Sequence, residues 1–322
     1  MCRLVCRRLL FAGVLVILAS SASMLLTRVA PGDLSLQLGP FASPAEVASL
    51  RARYGLDRTL VEHWWFWAGR AVRLDFGESF LYGRPVAPLV GRAALNTFIL
   101  GASALVLATL GGIALGVFTG SRAGTFLTGV VRACSLACLS LPSLVTSLLL
   151  VFVAAQTGWF PPGGMSSAGA VDGTWWSRLL DVARHLPVPA VALALPLLAT
   201  LERLQSQAMS DAIRQPFLVA AAARGVSARG LIWRHAWPVS LQPMCGVYGL
   251  AVGALLSGSF IVEYVTAWPG MGRLMYEALR ARDIYLVAGC AAMGSLVLAT
   301  GTLVGDLLLA IADPRVRDEG GA

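Results

Sequence analysis

The residue types that do chemistry are present in this chain, but their spacing forms no site. His63, His185 and His235 stand far apart, and none falls in an HExxH pattern that would turn two imidazoles toward one metal. Of the six cysteines, Cys2 and Cys6 precede the first apolar run, while Cys134, Cys138, Cys245 and Cys290 lie inside or beside later ones. They make no CxxC pair and no Cys/His cluster with metal spacing, and none sits in a long polar loop, so no disulfide framework is implied. Cys134 and Cys138 share a helix face four residues apart, where small apolar packing is the plain reading. The serines show no GxSxG elbow. There is no lysine, so a phosphate-cradling GxxxxGK[ST] loop cannot form and nucleotide hydrolysis by that route is excluded.

The elements that would have to position any site are apolar. The chain has 322 residues, 57% of them hydrophobic and 13% charged, with a mean hydropathy of +0.73. A soluble domain carries about a quarter charged residues, so most of this surface must face lipid. Six stretches approach the roughly 20 apolar residues that cross a bilayer: Leu9–Leu26, Thr97–Phe118, Ala133–Ala155, Leu186–Leu201, Met244–Val262 and Leu286–Ala312. The first follows Arg3, Arg7 and Arg8 but is too long for a signal peptide, and reads as an uncleaved span. The expected fold is an all-α integral membrane protein with six transmembrane helices. Its segments are a tail and first helix over 1–26, a long extracytoplasmic loop over 27–96, a five-helix core over 97–312 containing a loop at 202–243, and a tail over 313–322.

The net charge of +8 follows the same map. Arg3, Arg7 and Arg8, then Arg122 and Arg132, then Arg203, Arg214, Arg224, Arg229 and Arg234 fall on alternate sides from the balanced loops. The positive-inside rule therefore puts both termini in the cytoplasm and accounts for the basic balance without nucleic acid. No charged residue is expected in the central part of any span, and Asp306 comes nearest, toward the end of the last. Cation-coupled transport and intramembrane catalysis, which need such groups, are unsupported.

Small residues recur at four-residue spacing. Gly112, Gly116 and Gly120 line one face of the second span, and Gly249, Gly253 and Ser257 one face of the fifth. Either a moving or dimerising interface or ordinary close helix packing would use them.

The loop at 202–243 is too long for a connector. Pro216 to Ala223 favours helix, Gly225 is a natural stop, and Ser227 caps a second short helix expected to end before Pro238. Such a compact surface, rimmed by arginine, suits a partner protein or, equally, anionic lipid headgroups.

These residues resemble the signature of binding-protein-dependent ABC importer permeases, in which Glu-Ala-Ala is followed by Gly four residues on and by a later Pro. Ala220, Ala221, Gly225 and Pro243 hold the matching places, while Val219 stands where Glu is usual. Arg28–Asp33, Tyr54–Asp57, Asp75–Ser79 and Arg84–Val86 are similar to the first permease subunit of dipeptide, oligopeptide and nickel importers, with Leu74 where Gly is normal. Trp159–Gly163, Glu263, Pro269–Arg273, Arg282-Asp283 and Asp313–Arg315 extend the likeness over nearly the whole chain. The resemblance implies an inner-membrane subunit without catalytic residues, cofactor or metal of its own. It implies a second permease subunit as heterodimer partner, two ATP-binding subunits that hold the ATP, and an extracytoplasmic solute-binding protein. Phe217, Ala220, Ala221, Arg224, Gly225 and Pro243 would form the ATPase-coupling loop, acting as a rigid lever on the fifth span. Trp64, Trp65 and Trp67 would serve either as an interfacial aromatic belt or in docking the binding protein. A stand-alone transporter or channel, and a membrane-bound enzyme or assembly factor, are the competing classes.

Overall fold

The computed structural model describes residues 2–29, 59–73, 75–122, 124–167 and 173–312, with isolated positions between 43 and 57. Residues 30–33, 54–56, Leu74 and 313–315, which carry part of the resemblance, lie outside the described residues. The described chain is helical apart from one hairpin: α1 Cys2–Val29, α2 Leu60–Ala71, strands β1 Glu78–Ser79 and β2 Arg84–Pro85, α3 Val86–Ser121, α4 Phe126–Ser140, α5 Ser143–Thr157, α6 Trp175–His185, α7 Pro187–Ile213, α8 Pro216–Ala223, α9 Tyr248–Val265, α10 Met271–Arg280 and α11 Ile284–Ala312.

Among the described residues five helices, α1, α3, α7, α9 and α11, are long and apolar enough to cross a membrane. The third expected span is not one rod. α4 and α5 meet at 109°, because Pro142 lacks an N–H and forces the preceding residue out of the helical region. Leu141 accordingly takes φ −85°, ψ 124°. The fourth span also differs from expectation. It continues beyond Leu201 to Ile213, and Pro196 is absorbed within it while Thr200 Oγ1 donates to the Pro196 carbonyl at 2.8 Å.

Two compact units divide the chain: Thr97–Trp268 with Met1–Val5 and Thr300–Ala322, and Cys6–Asn96 with Pro269–Ala299. Residues 269–299 thus group with the N-terminal part of the chain.

In the larger unit α7 is the central element, with 56% of its apolar window buried against 28% for α9. Leu100, Ala104 and Ala108 of α3 join Leu193, Leu197 and Leu201 of α7, Leu255 and Val262 of α9, and Trp268 in one core. The α3 glycines close on α7. A Cβ built on Gly112 would lie 2.7 Å from Leu201 Cβ, on Gly116 2.5 Å from Gln205 Cβ, and on Gly120 2.5 Å from the Ser206 carbonyl oxygen. Backbones approach this closely only where a side chain is missing. On the other face of the unit a Cβ on Gly305 would meet the Gly249 Cα at 2.6 Å, and one on Gly301 the Val252 Cγ1 at 2.3 Å. Gly253 lies half-buried on the same helix.

The order of these contacts gives helix direction. Along α3 the partners on α7 ascend in number, so α3 and α7 run parallel; along α11 the partners on α9 descend, so those two run antiparallel. Parallel α3 and α7 require the chain between them to cross once. The bent α4–α5 pair then counts as one broken span, which brings the candidate spans among the described residues to six.

In the smaller unit, α2 begins with a capping box: Thr59 Oγ1 accepts from Glu62 N while Glu62 accepts from Thr59 N. Trp67 is buried and Trp64 Nε1 donates to Ser21 Oγ at 2.6 Å. Only Trp65, 67% exposed, remains free for lipid or partner. The hairpin pairs Glu78 with Pro85 and Ser79 with Arg84. It is held by Asp283, which accepts from the Ser79 hydroxyl and Leu81 N and also caps α11 through Leu286 N. Burial pushes the Asp283 carboxyl above its ordinary range, and these donors pull against that shift. His63 Nε2 and the Tyr285 hydroxyl meet at 3.0 Å.

Gly116→Ala should lower the stability of the detergent-solubilised protein by about 1–3 kcal/mol, as overpacking does. Gly101→Ala, where a Cβ meets nothing within 4 Å, should show no such loss in the same thermal unfolding assay. In sealed vesicles of a cysteine-free background, Arg122→Cys and Trp159→Cys should label with an impermeant thiol reagent from opposite faces. Labelling from the same face would restore five crossings.

Candidate coupling site

The segment between α7 and α9 starts from a helix that its sequence starts and stops cleanly. Pro216 occupies the first turn of α8, where a missing N–H costs nothing. At the other end Gly225 adopts φ +84°. Its N–H donates to the Ala222 carbonyl at 2.9 Å and that of Val226 to the Ala221 carbonyl at 3.3 Å. These are the paired 5→2 and 6→1 bonds of a Schellman cap, which a Cβ-bearing residue enters only at a cost. Ser227 then caps the next turn by accepting from Gly230 N.

The expected second helix does not end before Pro238. Residues Leu231–Ala236 widen into a π-helical turn, and Trp237–Ser240 continues as α-helix with Pro238 in its first turn. A proline ring clashes with the carbonyl four residues earlier, and the wider turn moves that carbonyl aside. Gln242–Cys245 forms a further short turn, with Pro243 at its start. The path from α8 to α9 is thus a series of short pieces, not one rod.

α8 has two unlike faces. Leu218 and Ala221 are buried in a core with Val117 of α3, Met209 and Ala212 of α7, and Ala236. Phe217, Val219 and Ala220 face outward with Arg224, and Arg229, Trp233 and Arg234 extend the exposed surface. Of the residues expected to form the coupling loop, Phe217, Ala220, Ala221, Arg224 and Gly225 lie on one helix and its cap. Pro243 sits on a separate turn.

Beneath this surface lies a polar cluster that sequence reading missed. Glu202, expected to open a loop, stands just past the middle of α7 and is fully buried. Its level along the seam is that of Thr119, two residues before α3 ends, so this buried carboxyl lies toward one end of the helix pair and not at its centre. Thr119 Oγ1 of α3 donates to Glu202 Oε1 at 2.6 Å. One turn on, buried Gln205 donates through Nε2 to Ser240 Oγ at 2.8 Å, and that hydroxyl donates to the Trp237 carbonyl. Arg132 of α4 reaches the Thr119 carbonyl and Ser206 Oγ at 3.5 and 3.4 Å. Glu202 Oε2, Gln205 Oε1 and Trp237 Nε1 are buried with no hydrogen-bond partner. At the far end of the same unit Glu263 is also buried, and accepts from Thr97 Oγ1 at 2.6 Å. The signal for Glu202 was in the chain: Leu201, Gln205 and Met209 continue the spacing of the apolar face and match the glycine row of α3 step for step.

Residues 112–318 match the family of binding-protein-dependent transport system inner membrane components, a stretch that holds the glycine seam, the broken span and the 214–247 segment. Over 98% of its length the chain is 32% identical to the oligopeptide transport system permease protein OppB of Mycobacterium tuberculosis (strain ATCC 25618 / H37Rv), 99% of which is covered. It is 29% identical to the oligopeptide transport system permease protein AppB of Bacillus subtilis (strain 168), over 91% of this chain and 92% of that one. It is 33% identical to a putative peptide transport system permease protein of Brucella abortus (strain 2308), over 98% and 99%. The chain belongs to the binding-protein-dependent transport system inner membrane component family, as its motifs implied, and is a multi-pass inner-membrane permease.

Thr119→Val keeps the side-chain shape but leaves both Glu202 oxygens buried without a donor. It should destabilise the protein by about 1–3 kcal/mol. Thr157→Val, which removes an exposed hydroxyl that donates to the Val153 carbonyl and accepts from Trp159 N only at 3.5 Å, is the control in thermal unfolding and should be near neutral.

Proposed function

We propose that this chain is the membrane-spanning permease subunit of an ATP-driven importer of peptides, pairing with a second, related permease subunit. Two ATP-binding partners hold and hydrolyse the nucleotide, and an extracytoplasmic binding protein delivers the solute. The observation that carries this reading is the two-faced α8. Its inner face is buried on the ends of α3 and α7, while its outer face presents Phe217, Val219 and Ala220 with arginines around them. Small exposed residues let another protein approach closely, and a helix fixed to two spans can pass movement on.

The arginine distribution places this segment and both termini in the cytoplasm, where an ATPase would meet it. The even number of crossings is consistent with that arrangement. Val219, 64% exposed, makes the contact apolar where the family commonly carries a glutamate. The peptide cargo rests on the likeness to oligopeptide and peptide permeases over nearly the whole chain.

A gradient-coupled transporter would use a buried carboxyl facing a wet path. Glu202 instead faces the α3–α7 seam and is bonded to Thr119. Among the described residues no group of three His, Cys, Asp or Glu side chains is placed to hold a metal.

Mild detergent extraction should recover a stoichiometric ATPase with this subunit, and recovery of the permease alone would overturn the reading. Gly225→Asp puts a carboxylate at the C-terminal, negative end of α8 and on the partner-facing cap. It should leave membrane insertion intact while tetrapeptide uptake in reconstituted vesicles falls and ATP hydrolysis persists. Uptake at the wild-type rate would count against α8 as the coupling element.

A further inference from the structure

We propose that Gln205 is a two-position latch between α7 and the Trp237–Ser240 turn, a positioning residue that lets movement of the cytoplasmic segment reach α7 and, through Glu202 and Thr119, α3. The proposal rests on the importer reading and names the residues through which that coupling would run.

The present position of the latch is fixed by hydrogen-bond direction. Ser240 Oγ spends its one hydrogen on the Trp237 carbonyl, so toward Gln205 it can only accept. Gln205 therefore turns its N–H toward Ser240 and leaves its carbonyl oxygen buried without a donor. On the same turn the Trp237 indole N–H is a buried donor without an acceptor. An orphan acceptor on α7 and an orphan donor on the turn packed against it are complementary. Leaving both unmade is costly, and a shift of the turn along α7 that joined them would relieve both at the expense of the Ser240 bond. Two pairings of similar worth make a bistable element.

The surroundings permit such a shift. The turn is flanked by the π-helical Leu231–Ala236 and by i→i−3 bonds from Met244 N and Val247 N, so the helical path around it is irregular and can adjust locally. A lever acting directly on α9 would have to work through this irregular stretch. α7, by contrast, is continuous from Pro187 to Ile213. On its α3 side the glycine row offers no side chains to interlock, so Glu202 and Thr119 supply the bond that keeps the two helices in axial register.

The test uses the full complex with its ATP-binding partners, comparing hydrogen–deuterium exchange of 231–247 and 112–121 in nucleotide-free and ADP–vanadate-trapped states. In the wild type, trapping should change exchange in both segments. Ser240→Ala removes the present pairing, and the nucleotide-free protein should already show the trapped pattern. Gln205→Glu keeps acceptors but loses the N–H, and should move the same way. Trp237→Phe keeps most of the ring bulk but removes the alternative donor, and should lose the change on trapping. Opposite displacements are what a latch requires; a merely structural role would shift all three variants alike. Uniform shifts, or variants that respond as the wild type does, overturn the latch while leaving the importer reading in place. Failure of any ATPase to co-purify overturns that reading, and the latch with it.

Discussion

The contact on which the larger unit depends is the meeting of two backbones. Gly112, Gly116 and Gly120 leave α3 without side chains along one row, and Leu201, Gln205 and Met209 of α7 occupy the space. In lipid there is little hydrophobic gain from joining two apolar helices, so close packing and hydrogen bonds must hold them. The seam supplies the first and Thr119 with Glu202 the second. Because the two rows advance together, the same contact fixes helix direction, and direction fixes the number of crossings. A local steric fact thereby determines which loops share a side of the membrane.

Much of this was legible in the chain, and the failures have physical reasons. Five long apolar runs became helices because a spanning segment must satisfy its backbone internally. Gly225 could be read as a helix stop because few residues tolerate its conformation, and it is one. Pro142 and Pro196 both stand inside apolar runs, yet only Pro142 ends a helix. What separates them is packing: Pro196 lies in the buried α7 with Thr200 bonded to its carbonyl, whereas Pro142 stands at an exposed bend. The fourth span was ended too early because Glu202 is a charge-bearing residue, and such residues are costly in lipid. Its cost is met by a threonine 83 positions away in sequence, which no local pattern reveals. The glycine row was visible, but whether it faced this chain or another was not, since spacing does not name the partner.

The same reasoning separates the polar groups by role. In the smaller unit Asp283 accepts from several donors of the hairpin and from Leu286 N, and ties the hairpin to the start of α11. Such a satisfied group rigidifies its surroundings. Under α8 the situation is reversed, with two acceptors and one donor buried and unpaired within one neighbourhood. Native interiors leave few polar atoms in that state, and each one calls for a physical reason. The satisfied node belongs to a part that must hold its shape, and the unsatisfied one to a part packed against broken helix.

Those broken helices also bear on where force can travel. The left-handed cap at Gly225 separates α8 from the helical stretch that leads to α9, and the π-turn within that stretch loosens it, so a thrust along its length is poorly carried. Sideways contact is different. The buried faces of Leu218, Ala221 and Ala236 rest on Val117, Met209 and Ala212, at the ends of two long, continuous helices. Displacing α8 would either open that core to water, at a cost proportional to the apolar area exposed, or carry the ends of α3 and α7 with it. The glycine seam, pinned by one short hydrogen bond, favours the second course, because the two helices can follow as a pair without repacking large side chains between them.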